Sequence, residues 1–190
     1  MRYRTFIAID VSPFARDRLV GVQQQLSALA DDVKWVEPDN LHLTLIFLGE
    51  VDERDVVDVC RAVTKSCADV APFAFTLEGL GAFPTVRRPR TLIAKISEGH
   101  EAVRSLQKAI EPALLDLGCY RREERPFTPH VTIGRVKRDG SAEQLSVALL
   151  KFAAWSGGQT PVKEVLVLSS NLGPDGPKYS LLSRAKLGGA

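Results

Sequence analysis

No apolar run in this chain approaches the length of a membrane span. The longest, LTLIFLG and VLVL, are strand-sized against the about 20 residues that a spanning helix needs. Near the start, Asp10 interrupts the short apolar stretch that follows two arginines, so no secretory signal is expected there and a cytoplasmic location is. An excess of one charge is also lacking. Lys and Arg number 25 against 23 Asp and Glu, which argues against a strong non-specific nucleic-acid binder but leaves small or terminal nucleotide ligands open. Cysteine is too scarce for a disulfide framework: Cys60, Cys67 and Cys119 make neither a CxxC pair nor an even set. They read as small apolar residues, Cys60 and Cys67 near one helix face. Histidine occurs three times, never in an HExxH frame, so no metal site is expected.

What is present is an ordinary globular composition, 45% hydrophobic and 25% charged over 190 residues, suited to one domain or two small lobes sharing a core. RTFIAID (4–10) reads as a strand, and residues 12–30 as a helix capped by Ser12, with Pro13 at its first position and Phe14, Val22, Leu26 and Leu29 on one stripe. LHLTLIFL (41–48) is a strand ended by Gly49. Asp52 caps a helix over about 53–68 with Val56, Val59, Val63 and Cys67 inward. FAFTLEGLGAF (73–83) and RTLIAKIS (90–97) are strands separated by the basic turn PTVRRP. A helix over about 100–117 follows, carrying Val103, Leu106, Ile110, Leu114 and Leu117, with a kink expected at Pro112 and a stop at Gly118. After a strand over 128–136, Ser141 and Gln144 form a capping box for a helix to about 154. Strands at 163–171 and 178–187 flank the turn LGPDGP. Strands that outnumber helices, joined by short turns, favour an α+β fold with largely antiparallel sheet.

Two of the strands carry the same unusual pattern. HLTL (42–45) and HVTI (130–133) each place a histidine and a threonine two residues apart, hence on one face of a strand. His42 and Thr44 oppose Leu41, Leu43, Leu45 and Phe47; His130 and Thr132 oppose Val131 and Ile133. A single strand histidine is more often a hydrogen-bonded structural residue than a catalyst. With nine threonines in 190 residues, however, a Thr two places after a given His is roughly a one-in-twenty event, and two of three histidines show it. His100 lacks the pattern and reads as a surface residue. The motifs lie 88 positions apart (130 minus 42), about half the chain, so two similar lobes facing a shared groove are expected.

Two facing imidazoles, each titrating near pH 6.5, supply a base and an acid at one working pH. The threonine hydroxyls can hold the oxygens of an anionic centre without adding a titrating group. A phosphodiester fits this set better than a carbonyl, because neither histidine has a serine or cysteine nucleophile beside it. Whether His42 or His130 is the acid does not follow from this pattern.

The paired HxTx motifs resemble those of the 2H phosphoesterase superfamily. RTFIAID, VKWVEPDNLHLTLIFLGEV, GAFPTVRRPR and RPFTPHVTIGRV are similar, in order, to its RNA 2′,3′-cyclic phosphodiesterase branch, the bacterial 2′-5′ RNA ligase-like proteins. The resemblance covers most of the chain and is looser over the last 40 residues. It implies a bilobal α+β fold over residues 1–190, a single domain of two pseudo-related lobes. Two mostly antiparallel sheets would line a central cleft, with helices outside. It implies no cofactor or metal, and hydrolysis of an RNA terminal 2′,3′-cyclic phosphate to a 2′-phosphomonoester. By that likeness His42 donates the proton to O3′, His130 activates water, and Thr44 and Thr132 bind phosphate. Arg135 occupies the family's place for a further phosphate contact. Simple alternation puts Arg135 on the wrong face, and Gly134 offers a bulge that would re-aim it.

Arg87, Arg88 and Arg90, with Arg121, Arg122 and Arg125, either flank the cleft and guide RNA or are solvated surface; Phe127 and Trp35 either stack on a base or pack beside the motifs. The expected ligand is an RNA or nucleotide end with a cyclic phosphate, bound by a monomer with no membrane and no obligate protein partner. A 2′-5′ ligase running the same chemistry in reverse, and a nucleotide-binding module without chemistry, are the competing readings.

Overall fold

The computed structural model describes residues 1–122, 124–137, 142–174 and 176–189. Its described elements follow in chain order: β1 (Arg2–Asp10), α1 (Pro13–Ser27), β2 (Val33–Trp35), a 3₁₀ turn (Pro38–Asn40), β3 (His42–Asp52), α2 (Glu53–Cys67), β4 (Phe73–Thr85), β5 (Arg88–Ile96), α3 (His100–Asp116), β6 (His130–Val136), α4 (Ala142–Lys151), β7 (Ser156–Val162), β8 (Glu164–Gly173) and β9 (Gly176–Lys186). The result is the expected α+β architecture. All the strand pairs are antiparallel, in the order β7-β4-β5-β6-β3-β1-β8-β9, with β2 added against β6. Where two sheets were expected there is one continuous sheet, whose two halves carry one motif strand each. The halves meet where β3 and β6 pair through Leu43 and Val131, so the two motif strands are neighbours.

Local chemistry explains several boundaries. Ser12 accepts the Ala15 amide and Pro13 starts α1, while Asp52 accepts the Arg54 amide to start α2, both N-terminal donors that would otherwise lack partners. The buried stripe of α1 is Ala15, Leu19, Val22, Gln23 and Leu26. Phe14 and Leu29, expected inward, are more than half exposed: the face of α1 that meets the core is centred on Leu19, and Leu29 lies past the helix, which ends at Ser27 and not at 30. In α2, Val59, Val63 and Cys67 are buried as expected and Val56 packs at the margin. In α3, Val103, Leu106, Gln107, Ile110 and Leu114 are buried; Leu117, expected with them, is the half-exposed C-cap ahead of Gly118, whose φ is +69°. Pro112 lies inside α3, and α4 stops at Lys151, short of 154. The capping box expected at Ser141 lies outside the described residues.

Gly49 does not end β3. It takes a φ of +74° opposite Thr5 while Phe6 pairs with Phe47, so it marks a bulge and the strand continues to Asp52. A second irregularity in β3 sits one residue after Thr44: Ile7 pairs with Ile46 and Ala8 with Thr44, leaving Leu45 as the extra residue. Alternation therefore resets. Phe47, expected in the core behind the motif, is instead 40% exposed on the side of His42. In β6 the same shift follows Thr132: Ile93 pairs with Thr132 and Leu92 with Gly134, leaving Ile133 extra.

Gly134 is demanded by packing as well. A Cβ built there would stand 2.8 Å from Val33 Cγ1 and 3.0 Å from Trp35 Cε3. Gly134→Ala is therefore expected to cost about 1–3 kcal/mol by overpacking, read as a lowered midpoint in urea unfolding. An unchanged midpoint would show that β2 gives way freely.

Candidate active site

The bulge in β6 decides which residues share the cleft. Without it, Arg135 would point away from His130; with it, Thr132, His130 and Arg135 line one cavity of about 780 Å³ together with Thr44 and Phe47 from β3. Four of the five residues singled out in the sequence thus contribute directly to one wall. The fifth, His42, stands beside them, its Nε2 bonded to Thr44 Oγ1 at 2.9 Å. The two rings are close enough that charge on His130 disfavours protonation of His42.

Both imidazoles are held in one tautomer by their own backbone. His42 Nδ1 lies 2.7 Å from the Asn40 carbonyl and His130 Nδ1 lies 2.7 Å from the Thr128 carbonyl. A carbonyl can only accept, so Nδ1 carries the hydrogen and the lone pair of the neutral ring is on Nε2. For His42 that lone pair accepts the Thr44 hydroxyl; once protonated, the same Nε2–H becomes the donor.

The surroundings of the rings differ. His42 has Phe6 at 5.1 Å and the edge of Tyr179 at 5.4 Å, between ring centroids; His130 meets the edge of Phe83 at 5.0 Å. Burial pushes both histidines below the ordinary imidazole value. The backbone carbonyls oppose this by stabilising the charged rings. Beyond that, Asp10, paired with His42 across β1 and β3, favours a charged His42, whereas Arg135 favours a neutral His130. Asp10 is itself held by Arg16, which also reaches the Pro38 carbonyl of the turn that carries Asn40.

Phe6, Phe83 and Tyr179 are invisible in the sequence as site residues, since they arrive from strands far along the chain. Of the basic clusters, Arg122 and Arg125 line the cavity, Arg121 borders a neighbouring hollow, and the cavity walls include none of Arg87, Arg88 and Arg90. Phe127 is on the cavity wall; Trp35 packs over Gly134 instead. His100 sits at the start of α3 beside Glu101, away from the cleft. The three cysteines are free of disulfides, and burial raises each thiol, Cys67 to about 11, in keeping with a packing role.

Comparison with known proteins matches residues 16–174 to the model of the 2′-5′ RNA ligase superfamily. The RNA 2′,3′-cyclic phosphodiesterase of Aquifex aeolicus is 35% identical over 156 residues, covering 82% of each chain. That of Methanothermobacter thermautotrophicus is 32% identical over 180 residues, covering 95% of this chain and 96% of its own. A crystal structure of a Thermus thermophilus protein superposes with a TM-score of 0.82 at 28% identity, covering 98% of both chains. Escherichia coli LigT in complex with 3′-AMP gives 0.80 at 22% identity, covering 98% of this chain and 99% of its own, a likeness of fold.

Proposed function

Given that the chain belongs to the 2′-5′ RNA ligase superfamily, we propose that it is an RNA 2′,3′-cyclic phosphodiesterase. It opens a terminal 2′,3′-cyclic phosphate to a 2′-phosphomonoester, with His42 as acid and His130 as base. The observation that carries the reading is the juxtaposition of two imidazoles, both presenting Nε2, at a cavity whose wall also carries Thr44, Thr132 and Arg135. In the reaction, His130 Nε2 takes a proton from water as its oxygen attacks phosphorus. The P–O3′ bond breaks, and O3′ takes the proton of His42 Nε2. Thr44, Thr132 and Arg135 hold the non-bridging oxygens as charge builds on them.

The division of labour between the rings is supported by the charge that weighs most on each: Asp10, ahead of Arg16, favours a charged ring at the proposed acid, and Arg135 favours a neutral ring at the proposed base. The shared bulge after each threonine supports reading the halves as related lobes of a single domain. Ligation of a cyclic phosphate to a 5′-hydroxyl is the same chemistry in reverse, and the high concentration of water favours hydrolysis as the net direction.

The test is an oligoribonucleotide with a 2′,3′-cyclic end, incubated in EDTA and analysed for product. A 2′-phosphate is expected; a 3′-phosphate alone would place the attacking water opposite O2′ and overturn the assignment. No turnover, with binding intact, would support a nucleotide-binding module.

The pH profile has a definite sign. Both rings lie below pH 6.5 in the free protein, and one must be charged while the other is neutral. The maximum of kcat/KM is therefore expected on the acid side of pH 6.5, with about a tenfold fall per pH unit along its alkaline limb. A flat profile from pH 5 to 8, with the chemical step limiting, would remove the two-imidazole mechanism.

A further inference from the structure

The cavity extends well past the two histidines. One wall is α3, and the facing wall is made by Tyr120, Arg122 and residues 124–127. Of its lining side chains, five are cations and two are carboxylates. One of those carboxylates, Glu111, is already engaged: Arg122 pairs with it at 3.0 Å, and Tyr120 Oη and Gln107 Nε2 each donate to it at 3.3 Å. That knot ties the facing wall to the helix and neutralises Glu111. Arg104 and Lys108, one helical turn apart on α3, and Arg125 across from them have no carboxylate within ion-pair distance among the described residues. Phe127 adds an aromatic surface to the same space.

A single cyclic phosphate at His42 and His130 has Arg135 and two threonines to meet its charge. It leaves the cations on α3 without a counterpart. We propose that Arg104, Lys108 and Arg125 form a subsite for the internal phosphates of an RNA strand, so that the protein selects an oligonucleotide end over a mononucleotide. The inference rests on the cyclic-phosphodiesterase reading above. Its physical basis is that each engaged phosphate releases condensed counterions, which makes binding salt-dependent. Internal diesters near the cyclic end would meet a cationic wall held rigid by Glu111. A 2′,3′-cyclic mononucleotide has no internal diester, so it reaches only the catalytic end.

The experiment compares wild type with Arg104→Ala/Lys108→Ala on two substrates, 2′,3′-cyclic AMP and a hexaribonucleotide with a cyclic 3′ end. The double variant is expected to lose at least about tenfold in kcat/KM on the hexamer and to stay within about twofold of wild type on the mononucleotide. Binding of a fluorescent hexamer with a 2′-phosphate end, titrated from 50 to 200 mM salt, should lose about 0.7 in log–log slope for each contact removed. The charge-conserving Arg104→Lys/Lys108→Arg should recover most of the hexamer rate. Lys108→Glu, at an exposed position, serves as a second variant that leaves the fold undisturbed. Equal losses on both substrates, or no loss on either, would overturn the subsite. Wild-type inactivity on both substrates would instead defeat the phosphodiesterase reading itself.

Discussion

Replacing His130 with alanine is expected to lower kcat/KM on a 2′,3′-cyclic phosphate by about 10²–10⁴-fold, the range a single positioned proton transfer contributes. The ring of this proposed base is fixed in place, because Nδ1–H is tied to the Thr128 carbonyl and Phe83 meets the imidazole edge-on. Truncation removes the proposed base while leaving Thr132 and Arg135 in the cavity wall, so affinity for the 2′-phosphate product should change far less than turnover. His42 needs a gentler replacement. It packs between Phe6 and Tyr179, so His42→Gln keeps more of that contact than alanine while removing the titrating group. Its expected loss is of the same order. The double variant should be little worse than either single one, because acid and base act in one transition state and their effects do not add. Single variants that turned over within about threefold of wild type would mean that neither ring carries the chemistry.

The motif strands were legible because a period of two and a rare residue pair are local signals. So were the starts of α1 and α2, where Ser12 and Asp52 do their capping within three residues. What could not be read were features set by distant partners. β7 is built from SGGQTPV, which has no strand pattern. Its glycines answer to packing: a Cβ at Gly157 would meet the Trp155 ring at 2.5 Å, and one at Gly158 would meet Phe14 at 2.5 Å. Phe14 is thus misplaced by a helical stripe because it lies over an edge strand that the stripe cannot foresee. Phe47 fails for a related reason. Its predicted inward face assumes unbroken alternation, and the extra residue Leu45 is dictated by pairing with β1. The aromatic neighbours of the two histidines come from β1, β4 and β9, and only tertiary pairing brings them together.

Arg135 shows the same bulge working in the opposite direction, and it carries the second large prediction. Thr44 plus three is Phe47 and Thr132 plus three is Arg135, so equivalent bulges turn an aromatic and a guanidinium toward the cleft. An arginine there can give a phosphate two parallel charge-assisted hydrogen bonds. Arg135→Met keeps most of the stem and removes the fork, and is expected to cost about 10²-fold in kcat/KM, comparable to losing a preorganised donor to a developing anion. Arg135→Lys should fall between, retaining charge without the planar fork. A separate readout distinguishes contact with substrate from mere surface charge. Arg135 lowers the His130 value, so its removal lets His130 hold its proton to higher pH. Since His130 in its proposed role as base must be neutral, the acid limb of the kcat/KM profile should move upward in pH in Arg135→Met and stay nearly in place in Arg135→Lys. An unshifted acid limb together with an unchanged rate would reduce Arg135 to a solvated side chain. In that case the bulge at Ile133 would serve only to seat Gly134 under Trp35.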